Sequence, residues 1–181
     1  MRAIRLIPVA CLLLAGTPLH AQDGPRWMDP AAHLTPADSS LRFITSGTAL
    51  TVLFNRFVAE ALSQTGWAPV TRTATFSARP EGVGPPVRLR FVQDLRGAIH
   101  KDADTRVIVV LVLPDRTETL VFPYGESVEE NALFRRFRST LRLRERQEYA
   151  VSVFVRIDRR RPGALARVDI ESMDVTMSRM R

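Results

Sequence analysis

His100, Asp102 and Asp104 stand at alternate positions in "HKDAD". On extended backbone alternate side chains point the same way, so an imidazole and two carboxylates could converge on a divalent cation. The same spacing suits a polar turn whose aspartates accept hydrogen bonds from nearby backbone. A calcium loop would add a glycine and a terminal glutamate, and neither follows. The turn is the expectation, and the metal site its rival.

The second group with chemical potential is cationic. Arginine outnumbers lysine 25 to 1, and Lys101 is the lone lysine. The formal charge of +7 is not spread evenly. Residues 22–132 carry 11 basic and 13 acidic side chains, a net of −2, whereas residues 133–161 carry 10 and 3, a net of +7. Residues 162–181 balance at 3 and 3. The surplus therefore sits in "LFRRFRSTLRLRER" and the stretch after it. Read as a helix, that segment puts Arg135, Arg138 and Arg142 on one face, opposite Phe134, Phe137 and Leu141. Arg159, Arg160 and Arg161 add a cluster at a strand end. Guanidinium groups bind carboxylate and phosphate through two parallel hydrogen bonds, so both groups are candidate anion sites. A solvated helix back is the bland alternative.

No nucleophilic set accompanies them. Outside the first 21 residues the histidines are His33 and His100, no G-x-S-x-G elbow occurs, and no serine precedes Lys101 at S-x-x-K spacing. The loop "GVGPP" lacks the lysine and the strand-to-helix setting of a phosphate loop. The expectation is a non-enzymatic protein with no cofactor.

The chain start has the layout of a secretory signal peptide over residues 1–21: basic "MRAIR", apolar "LIPVACLLLAG", then "TPLHA". Cys11, the only cysteine, falls inside the apolar run. Removal of that segment leaves no thiol for disulfides, catalysis or metal binding. Export follows as an expectation, to a periplasmic or extracellular location, with no membrane span after removal of the signal. Residues 22–40, with three prolines, read as a flexible tether, and residues 41–181 as a single α+β domain.

Within that domain, Leu50, Leu53, Phe54, Phe57, Val58, Ala61 and Leu62 follow helical spacing, and Gly66 and Pro69 would stop the helix. Ser127 and Glu130 form a capping box before a second helix through Leu141. Alternating or continuous apolar runs predict strands over 70–78, 87–92, 106–113, 117–124 and 149–157. A last strand carries Ala166, Val168 and Ile170 in phase, then Met173, Val175 and Met177 out of phase, which implies a bulge near Ser172. "LFNRF" and "LFRRF" recur 80 residues apart, compatible with a duplicated helix–strand–strand unit. The predicted fold is an antiparallel sheet of about five to seven strands covered by two amphipathic helices.

From Val87 onward the order strand, strand, strand, helix, strand, strand resembles an OB-fold, the alternative architecture: an OB-like barrel that binds an anionic polymer or lipid head groups. Such a barrel would expose Phe91, Phe122 or Tyr124 in a groove. The strand–"PD"–strand–helix–strand order, with "W-x-P" at Trp67 to Pro69 and "PPVRLRF", is similar to the C-terminal domain of TonB-type energy transducers. That resemblance implies an envelope component and transfers no residue role. The leading expectation is an exported domain that meets a protein partner through its sheet edge or arginine-rich face. An anionic envelope component, whether lipid head group, lipopolysaccharide or acidic glycan, is the other expected partner. Nucleic acid is not expected for an exported chain.

Overall fold

The computed structural model describes residues 24–62, 68–83, 87–143 and 147–180. Among them every regular element is a β-strand. The strands are β1 (Arg26–Thr35), β2 (Ser40–Ser46), β3 (Ala49–Asn55), β4 (Val58–Ala61), β5 (Val70–Glu81) and β6 (Val87–Lys101), followed by β7 (Thr105–Val112), β8 (Thr117–Phe122), β9 (Val128–Leu143), β10 (Tyr149–Arg159) and β11 (Ala166–Arg179). One sheet runs β1–β5–β10–β7–β8, and the other runs β2–β3–β11–β6–β9 with β4 also paired to β11. All the pairings are antiparallel. Two such sheets packed face to face make a β-sandwich.

The core lies between the sheets because alternate residues of each strand point inward. Tyr149, Val151, Val153, Val155 and Ile157 of β10 are buried, as are Val107, Val109 and Leu111 of β7. From the other sheet come Leu50, Val52 and Phe54 of β3 and Leu89, Phe91 and Leu95 of β6. Each large apolar side chain so buried contributes roughly 1.5–3 kcal/mol. Trp27 joins the layers: its ring lies 5.2 Å from Tyr149 and 5.9 Å from Phe91, and its Nε1 donates to the Thr48 carbonyl at 2.9 Å. Residues 26–35, within the segment that sequence suggests is a tether, thus form an edge strand on β5.

The α+β expectation is overturned, and both expected helices are strands. Over residues 48–62 the buried positions are Leu50, Val52 and Phe54, then Phe57, Ala59 and Ala61. Arg56 takes a left-handed φ of 61° between β3 and β4, which shifts the inward phase by one residue. Two strands out of phase bury positions 50, 54, 57 and 61, and that spacing of four, three, four is also the signature of a helix. In β9 the inward face is Leu133, Arg135, Phe137, Ser139 and Leu141, with Leu133, Phe137 and Ser139 buried. Phe134, which a helix would bury, is 46% exposed on the other face. The "LFNRF" and "LFRRF" words therefore lie on strands.

The OB-like barrel fares better in being all-β, but its helix is absent and the strands divide between two sheets. Phe91 is fully buried, and Phe122 packs against the core. The TonB-like order needs a helix where β9 stands, and Trp67 lies outside the described residues. The β11 bulge falls between Ile170 and Ser172 against β6. Gly97 faces it from β6, where a Cβ would lie 2.1 Å from the Asp169 carbonyl oxygen, so only glycine fits.

Candidate anion-binding face

The arginines acquire their arrangement from the register of β6 on β9. Arg88 stands opposite Arg142, Arg90 opposite Thr140, Val92 opposite Arg138, Asp94 opposite Arg136, and Arg96 opposite Phe134. These side chains share the outer face, because the intervening residues of both strands point into the core. The centre of the face is internally paired. Arg136 grips Asp94 with two bonds of 2.7 Å, and that hydrogen bond holds the Asp94 carboxyl below its usual range against the opposing cost of burial. Arg96 lies 3.5 Å from Asp174 and 5.5 Å from the Phe134 ring centroid. Thr51 Oγ1 donates to Asp174 at 2.7 Å.

Toward the end of the sandwich where β6 starts, the pairing stops. Among the described residues Arg88, Arg90, Arg138 and Arg142 have no carboxylate partner. Arg88 and Arg142 moreover face each other across the ladder, where like charges are mutually destabilising. Lys101 adds nothing to this surface. It is buried, its Nζ donates to the Glu126 carbonyl, and desolvation pushes its pKa down.

Of the six arginines singled out from sequence, Arg138 and Arg142 come together on this face. Arg135 points to the opposite side of β9, where its guanidinium donates to the Phe134 carbonyl at 3.0 Å. Arg159, Arg160 and Arg161 lie at the other end of the sandwich, since Arg159 is opposite Thr105 just beyond the β6–β7 turn. Arg160 stacks 4.1 Å from the Tyr124 centroid, and Arg161 binds Asp104 at 2.6 Å. The alternation of "VRLRFV" over residues 87–92 puts Arg88 and Arg90 outward on their strand, but the sequence cannot pair them with Arg138 and Arg142, because register is a long-range property.

His100, Asp102 and Asp104 do not converge. Asp102 Oδ2 accepts from the Leu165 backbone N–H at 2.8 Å, Asp104 binds Arg161, and His100 lies on the outer face of the sheet. Among the described residues no three potential ligands gather as a metal site. His100 instead borders a cleft of about 520 Å³ with Glu60, Leu62, Leu165, Arg167 and Glu171. Arg167 lies 3.4 Å from Glu60 and 3.6 Å from Asp169. With Glu171 this corner holds three carboxylates and one guanidinium, so the outer face is negative here and positive where β6 begins.

The outer edge of β9 is partly closed. Asp115, in the β7–β8 turn, accepts from the Thr140 N–H at 2.8 Å, which removes a ladder position from any incoming strand.

No family model and no curated protein matches the chain in sequence. Its solved structural neighbours include TmCBM61 in complex with β-1,4-galactotriose, with a TM-score of 0.33 and 8% identity over 83% of this chain and 88% of that one. They also include the family 11 carbohydrate-binding module from Clostridium thermocellum in complex with a mixed-linked tetrasaccharide, with a TM-score of 0.20 and 9% identity over 83% and 94%. A third is the enzymatically active domain of tailspike protein 4 from bacteriophage CBA120, with a TM-score of 0.27 and 8% identity, where 83% of this chain covers 19% of that one.

Proposed function

We propose that this chain is an exported, non-catalytic β-sandwich that holds an extended anionic polymer, of the acidic-glycan class, on the outer face of β6 and β9. The observation that carries the reading is the set of four outward guanidinium groups without carboxylate partners: Arg88, Arg90, Arg138 and Arg142. Arg138 and Arg142 are about 14 Å apart along one strand, and Arg88 lies about 5 Å across from Arg142. A rigid ladder thus presents repeated bidentate donors along a line, which suits carboxylate, sulfate or phosphate groups repeated along a chain.

Two features favour a polymer laid on the face over the other expected partners. Among the described residues the large apolar side chains well exposed on this face are Phe134, Ile44 and, in the cleft at its far end, Leu62 and Leu165. They are scattered and not gathered beside the four arginines, which does not suit anchoring in a bilayer. The Asp115 cap on β9 works against recognition through that sheet edge.

The test is titration with polygalacturonate, dextran sulfate and uncharged dextran at 50 mM salt. Both charged polymers should bind and the uncharged one should not. Arg138→Gln/Arg142→Gln should weaken binding at least tenfold. Equal binding by parent and variant overturns the proposal. Binding to anionic vesicles without binding to either charged polymer transfers the site to lipid head groups. Fractionation of the native cell, with the chain recovered outside the cytoplasm, tests export.

A further inference from the structure

The same outer face is dipolar along its strands. The end that begins β6 holds Arg88, Arg90, Arg138 and Arg142 without carboxylate partners among the described residues. The end that finishes β6 holds Glu60, Asp169 and Glu171 against Arg167, a net of −2 from these four. Between the two ends Arg136 pairs with Asp94 and Arg96 with Asp174, and Arg42 of β2 adds one cation, beside Phe134, 46% exposed, and Ile44, 47% exposed. Ten residues of β6 separate Arg90 from His100, about 34 Å of extended chain.

A surface positive at one end, negative at the other and weakly apolar between them is complementary to a copy of itself turned end for end. The operation is a two-fold axis lying between the two faces and perpendicular to the strands. It gives an isologous contact in which each basic end meets the partner's acidic end, twice per dimer. The face is about 40 Å long from Arg88 to His100, and five strands make it about 19 Å wide. That is roughly 800 Å², the area a standard interface takes from each partner.

We propose that two copies of this chain pair antiparallel through the outer face of the β2–β3–β11–β6–β9 sheet. The dimer covers the arginine row and so excludes a polyanion from it. This exclusion rests on the polymer reading of the face; the dimer itself rests on the face's charge pattern. Electrostatic complementarity sets orientation and is screened by salt, so the dimer forms at low ionic strength and gives way at high.

A charge-swap mixture tests this by sedimentation equilibrium at 50 mM salt. The parent should be dimeric at tens of micromolar and monomeric at 0.5 M salt. Arg138→Glu/Arg142→Glu brings the basic end to net zero, and Glu171→Arg does the same to the acidic end, so the mixture keeps one of the two complementary contacts. Each variant alone should be monomeric, and their equimolar mixture should dimerise. Circular dichroism of each confirms that it is folded. A parent monomeric at 50 mM salt, variants that dimerise as the parent does, or a mixture that stays monomeric overturns the dimer. Saturating dextran sulfate should dissociate the parent dimer; a dimer that persists with the polymer bound overturns the assignment to this face. Failure of every polyanion to bind overturns the polymer reading alone, and the mixture still decides the dimer.

Discussion

Arg142 faces Arg88 directly across the β6–β9 ladder, with no carboxylate to compensate either among the described residues. A cross-strand like-charge pair of this kind destabilises a sheet by roughly 0.2–1 kcal/mol. In water-like dielectric two charges about 6 Å apart repel by about 0.7 kcal/mol, within the same range. Arg142→Gln removes the repulsion and keeps most of the aliphatic stem that covers the strand. The variant should therefore be more stable than the parent by roughly 0.5 kcal/mol, a rise in melting temperature of about 1–2 °C for a domain of this size. Thermal melts and urea titrations at 20 mM salt measure it. At 1 M salt the Debye length is about 3 Å and the gain should disappear. Arg42→Gln is the control, because Arg42 stands opposite the uncharged Leu53, and it should shift the melt little. The reasoning fails if Arg142→Gln is destabilising at low salt, if its gain survives at 1 M salt, or if the control gains as much. Under the proposed reading, the stability given up keeps two unpaired cations together for an anion.

Two further predictions test the scaffold beneath the face. Gly97→Ala puts a Cβ 2.1 Å from the Asp169 carbonyl oxygen at the β11 bulge, so urea unfolding should show a loss of about 3 kcal/mol or more, against the roughly 1 kcal/mol that a glycine ordinarily gains on becoming alanine. Asp94 has its pKa lowered from 3.8 chiefly by the Arg136 hydrogen bond. Its contribution is thus complete above about pH 4 and is lost as pH falls through the lower, folded-state value. Asp94→Asn should remove that part of the acid dependence in melts between pH 5 and 2, and a variant with the parent's full acid dependence refutes the assignment.

The alternating and continuous apolar runs of β5, β6, β7, β8, β10 and β11 are legible as strands because apolar residues dominate their inward faces, Gln93 and Lys101 of β6 being buried polar exceptions. Val107, Val109 and Leu111 illustrate it, as do Tyr149 through Ile157 at every second position. The bulge in β11 is legible too, since Ile170 and Met173 are both buried out of phase. The two false helices have different causes. Around Arg56 the left-handed residue between β3 and β4 resets the inward phase, and two short strands then imitate a helical repeat. In β9 the inward positions include Arg135 and Ser139. An edge strand can leave an inward cation exposed, and Ser139 is buried only because the Gln93 amide donates to it from β6 at 2.5 Å. Neither circumstance is local to the words that carry it.

The reassignment of β9 from helix to strand changes which arginines act together. A helix would unite Arg135, Arg138 and Arg142 every three or four residues and leave Arg136 aside. A strand unites Arg136, Arg138 and Arg142 and sends Arg135 to the other side. Pairing then recruits Arg88 and Arg90 from a segment some fifty residues away and supplies Asp94 to neutralise Arg136. Net charge per segment is additive and needs no fold, which is why the cationic surplus is visible in the composition of residues 133–161. Which cations lack a counter-charge is decided across the ladder. That selection concentrates the unpaired charge at one end of the face and makes the face directional.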